Sequence, residues 1–109
     1  MSQDYCFFGA LPDGRKPTLR DSFPPIGTAD EVMARVSALF PSLRWKPPYY
    51  EVRAWFGVDG PVQFILVPEA DGRVMALKGE QIDRAQALAL AAALGLVVFD
   101  TEAREFLDT

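Results

Sequence analysis

The chain has no histidine and a single cysteine, Cys6, in 109 residues. Histidine is the side chain that titrates near neutral pH and the commonest transition-metal ligand, so its absence removes the usual general base. Zinc sites of the ordinary His and Cys kind are excluded with it, as are serine or cysteine triads that depend on His. One cysteine cannot close an internal disulfide, which fits a reducing cytoplasm. No apolar run approaches the roughly 20 residues that span a bilayer, and Met1-Ser2-Gln3-Asp4 shows no cationic leader. A basic excess is missing too. The formal net charge is −4, whereas a protein that tracks phosphates normally carries a positive field. A cytoplasmic protein is expected, with no cofactor and no membrane, nucleic-acid or metal partner.

What is present is an ordinary globular balance, 50% hydrophobic and 24% charged, and a length sufficient for one core without staples. One domain over residues 1–109 is expected. Its organising stretch is Tyr50 to Lys78. Tyr50, Val52, Ala54, Phe56 and Val58 are apolar, while Glu51, Arg53 and Gly57 alternate with them and Trp55 is the exception. Period-two alternation predicts a strand with the even positions dry and the odd positions wet. Asp59-Gly60 and Asp71-Gly72 separate this run from two further β-rich segments, and Asp-Gly tolerates the positive φ of hairpin turns. An antiparallel meander follows. In its second strand Ile65 and Val67 break the alternation, which predicts a central strand covered on both faces, with Pro68 at its end.

Upstream, Tyr5-Cys6-Phe7-Phe8 reads as a short strand, with Cys6 as a small core residue. Gly9 to Gly27 is irregular, with four prolines and the cations Arg15, Lys16 and Arg20. Loops of that length tend to be functional or mobile. Phe23 and Ile26 are expected to pin its far end. Thr28 with Glu31 forms a capping box that opens a helix to about Phe40, with Val32, Val36, Leu39 and Phe40 as its apolar stripe and Pro41 as its stop.

Asp83 with Gln86 opens a second helix, and Gly95 suits a left-handed C-terminus. Ala85 to Leu94 carries no charge, so this helix is either an exposed alanine face or a homodimer seam. Leu96 to Phe99 is a strand, and Glu105-Phe106-Leu107 closes a terminal hairpin. The sum is an α+β fold: a mainly antiparallel sheet of five or six strands with two helices packed on one face.

No motif nominates a catalytic residue. Gly57-x-x-Gly60 lacks the lysine and helix of a phosphate loop, and Asp59, Glu69, Asp71, Glu80, Asp83 and Asp100 fall at turns and caps, where acids are common. The densest aromatic cluster is Trp45, Tyr49 and Tyr50 around Pro47-Pro48, joined by Trp55 and, at its rim, Arg53. Tyr, Trp and Arg are the types that most often anchor interfaces, so these five residues are the candidate partner-binding site. The alternative is that the rings roof the sheet.

Leu94-Gly95-Leu96-Val97-Val98-Phe99-Asp100-Thr101, then Glu105-Phe106-Leu107, together with Leu39-Phe40-Pro41 and Arg44-Trp45, resemble small bacterial proteins of unassigned role, some of which look like immunity partners of toxins. The resemblance implies a protein-binding module, immunity-like or regulatory, and supplies no catalytic residues. This sequence departs from the group by lacking a glycine in the C-terminal turn, where Ala103-Arg104 stand. A small-molecule-binding domain or a carboxylate-based hydrolase is the competing expectation.

Overall fold

The structure is a computed structural model that describes residues 3–48 and 53–107. Its elements are β1 (Gln3–Gly9), β2 (Gly27–Thr28), α1 (Ala29–Leu39), β3 (Arg44–Lys46), β4 (Trp55–Asp59), β5 (Val62–Pro68), β6 (Arg73–Ile82), α2 (Arg84–Leu94), β7 (Leu96–Asp100) and β8 (Glu105–Phe106). The strands form one sheet in the order β3-β4-β5-β6-β1-β7-β8, with β2 paired to the start of β6. Every pairing is antiparallel. The expected α+β class and antiparallel sheet are therefore present, but the sheet has 8 strands rather than five or six. β8 is the strand of the expected terminal hairpin, while β2, 2 residues long, is one the sequence pattern does not announce. A strand of that length carries no alternation to read, and Thr28 of β2 doubles as the cap of α1.

Both helices begin as their sequences dictate. Thr28 Oγ1 accepts from the Glu31 amide at 3.3 Å, and Glu31 Oε1 accepts from the Thr28 amide at 3.1 Å. Asp83 and Gln86 repeat the arrangement at 2.7 and 2.9 Å. Such a cap stabilises a helix by about 1 kcal/mol. Gly95 ends α2 at φ 67, in the left-handed region where a Cβ is unfavourable. On α1 the buried residues are Val32, Met33 and Val36. Leu39, expected in the stripe, is exposed, because the helix ends there and the Phe40 ring turns edge-on to Phe64 at 5.0 Å.

One core cluster joins these helix residues and Ala87, Leu90, Ala91 and Leu94 of α2 to alternate positions of the strands: Tyr5 and Phe7, Phe64 and Leu66, Leu77, and Leu96 and Val98. The intervening positions belong to the opposite, outer face. Cys6 is one of them, half-buried and absent from the core cluster, so it is not the core residue that its run suggested. Its neighbours Tyr5 and Phe7 take the core because alternation allows only one parity inside.

In β4 the alternation runs opposite to the expectation. Gly57 lies on the core side, paired with Trp45 and Phe64, and a Cβ there would come within 2.8 Å of the Trp45 ring. Phe56 and Val58 occupy the outer face, opposite Lys46 and Arg44 of β3. Gly57 was read as a wet position for want of a side chain. It is small because an indole lies across it. Trp55, the exception to the pattern, packs against the core with Trp45. Tyr50 and Val52 of the expected strand lie outside the described residues.

β6 runs 10 residues, and its register shifts once against each neighbour, β5 and β1. Leu66 pairs with Leu77 and Pro68 with Val74, which inserts one extra residue in β6. Val74 and Leu77 are therefore both buried, with Met75 and Ala76 between them on the outer face. A second irregularity sets Gln3 against Ile82 and Tyr5 against Gly79, with Gln81 in the left-handed region at φ 60.

Candidate functional site

The outer face divides in two. Over β1 and β8 it is covered by the end of the chain's own segment 10–26, at Phe23 and Pro24. Phe23 stacks on Phe8 with ring centroids 4.8 Å apart and leans on Phe106 at 5.8 Å. Phe106 in turn meets Phe99 edge-on at 5.1 Å. The backbone of Pro24 lies so close over Gly9 that no side chain would fit at that position. The Ile26 amide then donates to the Val74 carbonyl at 2.7 Å, joining the segment's end to β6. Phe23 and Ile26 thus hold the far end of the loop, Phe23 to the outer face and Ile26 against the core.

The loop also has internal order. Arg15 Nη1 donates to Asp21 Oδ2 at 3.1 Å and Arg15 Nε to Asp13 Oδ2 at 3.1 Å, while the Thr18 amide donates to Asp21 at 2.7 Å. Hydrogen bonds from Arg15, and then from Thr18, hold the Asp21 carboxyl at about 2, well below the usual carboxylate range.

Over β4, β5 and the middle of β6 the outer face is open to solvent among the described residues. Cross-strand register lines up Lys46, Phe56, Ile65, Lys78 and Cys6 in one row. Val67, two positions along β5 from Ile65, is 50% exposed. A shallow cavity of about 300 Å³ is lined by Cys6, Ile65, Val67, Met75 and Lys78. β5 is central, as its apolar pattern predicted, but it is covered on one face only. Lys46 and Lys78 make no ion pair among the described residues. Burial raises the Cys6 thiol above its ordinary value, and Lys78 only partly offsets this. The thiol is therefore protonated at neutral pH and a poor nucleophile.

The structure separates the five candidate partner-binding residues. Trp45 and Trp55 are half-buried against the core, and Trp45 Nε1 donates to Ser37 Oγ of α1 at 2.8 Å. Arg53 is exposed, just ahead of β4. Tyr49 and Tyr50 lie outside the described residues. Sequence reasoning missed Phe56, Ile65 and Val67 as surface residues. The signal is the two-faced apolar run of β5, a pattern that fits burial on both faces and a one-sided contact surface equally.

Acidic groups do not gather. Among the described residues no three of Cys, Asp and Glu are placed to hold a metal ion. Asp100 is the buried carboxylate, 7% exposed. Burial alone would raise its pKa, but the Ala103 amide, and beyond it the Gln3 side chain and the Glu102 amide, bring it below the ordinary value. Oδ1 accepts from the Glu102 and Ala103 amides at 3.0 Å each. Asp100 thus holds the turn between β7 and β8. In that turn Arg104 adopts a left-handed φ of 59. On α2 the outward positions include Ala85, Ala89, Ala92 and Ala93.

No described helix is long and apolar enough to cross a membrane. The chain matches no family model, no curated protein and no solved structure.

Proposed function

We propose that this chain is a protein-binding module, immunity-like or regulatory, that engages its partner through the open half of the outer sheet face. The observation that carries the reading is β5: a central strand, apolar on both sides, with Val67 half exposed on the outer one. Packing explains Phe64 and Leu66. It does not explain Ile65 and Val67, and contiguous exposed apolar residues on a sheet commonly mark contact surfaces.

The chemistry of the partner follows from the row across the strands. Phe56 and Ile65 lie between Lys46 and Lys78. Neighbouring strands are about 4.8 Å apart, so the two ammonium-bearing strands stand roughly 14 Å from one another. An acidic amphipathic segment of another protein would place apolar side chains on Phe56, Ile65 and Val67 and carboxylates at either side. The charges would set register and association rate more than affinity. Arg53, exposed just ahead of β4, extends the same surface in this reading. Both helices are taken to lie on the other face, where their buried residues share a core with Phe7 and Leu77. The likeness of the C-terminal segment to immunity-like bacterial proteins supports the same class.

A photoreactive phenylalanine at Val67, illuminated in lysate of the native cell, tests this reading. A cross-link to an acidic amphipathic segment of one protein is expected, and it should disappear in Lys46→Glu/Lys78→Glu. Cross-links to a second copy of this chain would replace the reading with a homodimer. Equal yields from a probe at Ala89 on α2 would contradict it.

A further inference from the structure

The covered half of the outer face contains a second feature that the partner-binding reading does not use. Between the loop segment Lys16 to Arg20 and the β7–β8 hairpin lies a cavity of about 560 Å³, within the usual range for small-molecule sites. The rings of Phe99 and Phe106 line it from the sheet, Leu19 lines it from the loop, and Lys16, Arg20 and Arg104 bring three cations to it against one acid, Glu105.

Three details set this cavity apart from an ordinary gap beneath a loop. The acids of the loop, Asp13 and Asp21, both bond Arg15, and neither bonds Arg20 or Arg104. Arg20 and Arg104 make no ion pair among the described residues. Leu19 is 65% exposed at the rim, where an apolar ligand body would cover it. Arg104 also holds an unfavourable left-handed backbone at a turn position where glycine would serve the fold better. The side chain present there is therefore one the turn itself does not require.

We infer that the cleft between the Lys16–Arg20 loop and the β7–β8 hairpin is a binding site for a small organic anion with a flat apolar body, such as an aryl carboxylate. The body lies against Phe99 and Phe106 under Leu19. The anionic head is taken by the guanidinium forks of Arg20 and Arg104, whose planar donors match a carboxylate in two-point fashion. Neither the sheet-face row nor its partner takes part, so the two sites stand or fall separately.

The test is a titration of the full chain with 1-naphthoate, followed by amide chemical shifts, beside uncharged 1-naphthamide as the head-group control. Shifts confined to the amides of Arg20, Phe99, Arg104 and Glu105 are expected, with binding at least about tenfold weaker for the amide. Arg104→Gly is the informative variant, because glycine suits the left-handed turn. Its thermal midpoint should hold or rise while naphthoate affinity falls by about tenfold or more. Arg20→Ala should weaken binding from the other wall of the cleft. The inference is overturned if naphthoate fails to bind at about 5 mM, if the amide binds equally, if Arg104→Gly binds as the wild type does, or if the shifts centre on Ile65 and Val67 instead.

Discussion

The two halves of the outer face are built from the same kind of strand and differ in what lies over them. Phe8, Phe99 and Phe106 are as apolar as Phe56, Ile65 and Val67. In the first group Phe8 and Phe106 are covered by Phe23, delivered by a segment whose close approach to the sheet requires a glycine at position 9, and Phe99 packs on Phe106. The second group has no such cover among the described residues, and Val67 remains half exposed. An apolar sheet face thus has two stable solutions in this chain: a strap from its own sequence, or an occupant from outside. Fully burying a side chain of this size stabilises by about 1.5–3 kcal/mol, and a partner would recover the part that half-buried Phe56 and Ile65 and half-exposed Val67 leave unrealised.

The strongest way to break the comparison is to remove the strap. Phe23→Ala should destabilise by about 2–3 kcal/mol in urea or thermal unfolding, toward the low end of a Phe deletion because the ring is only partly buried. It should also accelerate amide exchange at Ile26, leaving Phe64 and Leu66 protected. The covered half would then resemble the open one.

Next in size, Gly57→Ala tests whether the open half is open on one side alone. Its new methyl group would enter the Trp45 ring, 2.8 Å away, so a loss of about 1–3 kcal/mol is expected from overpacking. The fluorescence of Trp45 should shift as its hydrogen bond to Ser37 is disturbed.

A smaller effect separates the halves by pH. Asp100 supports the turn that carries Phe106 under the strap. Its folded-state pKa is below the unfolded one. Its contribution is therefore complete above about pH 4 and is lost as pH falls through the folded value. Acid titration followed by NMR should loosen the Phe106 region before β4 and β5. Asp100→Asn should flatten that acid limb. At the bottom of the scale, Val67→Ser should change stability by no more than about 0.5 kcal/mol, while removing apolar area from the proposed contact.

The capping residues were the most legible part of the fold. Thr28 with Glu31, Asp83 with Gln86, and Gly95 act locally, within one turn of chain, and each does in the structure what its spacing implied. The antiparallel meander was legible for the same reason, since its Asp-Gly turns are local. Parity in β4 was not. A glycine reads as polar or neutral by composition, whereas Gly57 is small because Trp45, 12 positions earlier in sequence, pairs with it across the sheet. β2 was invisible because its 2 residues have no period, whereas β8 lies where the terminal hairpin at Glu105-Phe106-Leu107 was expected. The aromatic cluster looked like a surface because Trp and Tyr favour interfaces, but Trp45 and Trp55 contact the core. The exposed apolar row was read as interior because a strand pattern reports which residues are apolar and cannot report what covers them.

The decisive measurement compares two charge insertions in binding to the segment that cross-links at Val67. Ile65→Asp/Val67→Asp changes the open sheet face, and Ala89→Asp/Ala92→Asp changes the outward side of α2 by the same charge. The account predicts that the first pair, still folded by circular dichroism, binds at least about tenfold more weakly while the second binds as the wild type does. Unchanged binding by the sheet pair, or an equal loss from the helix pair, would contradict it.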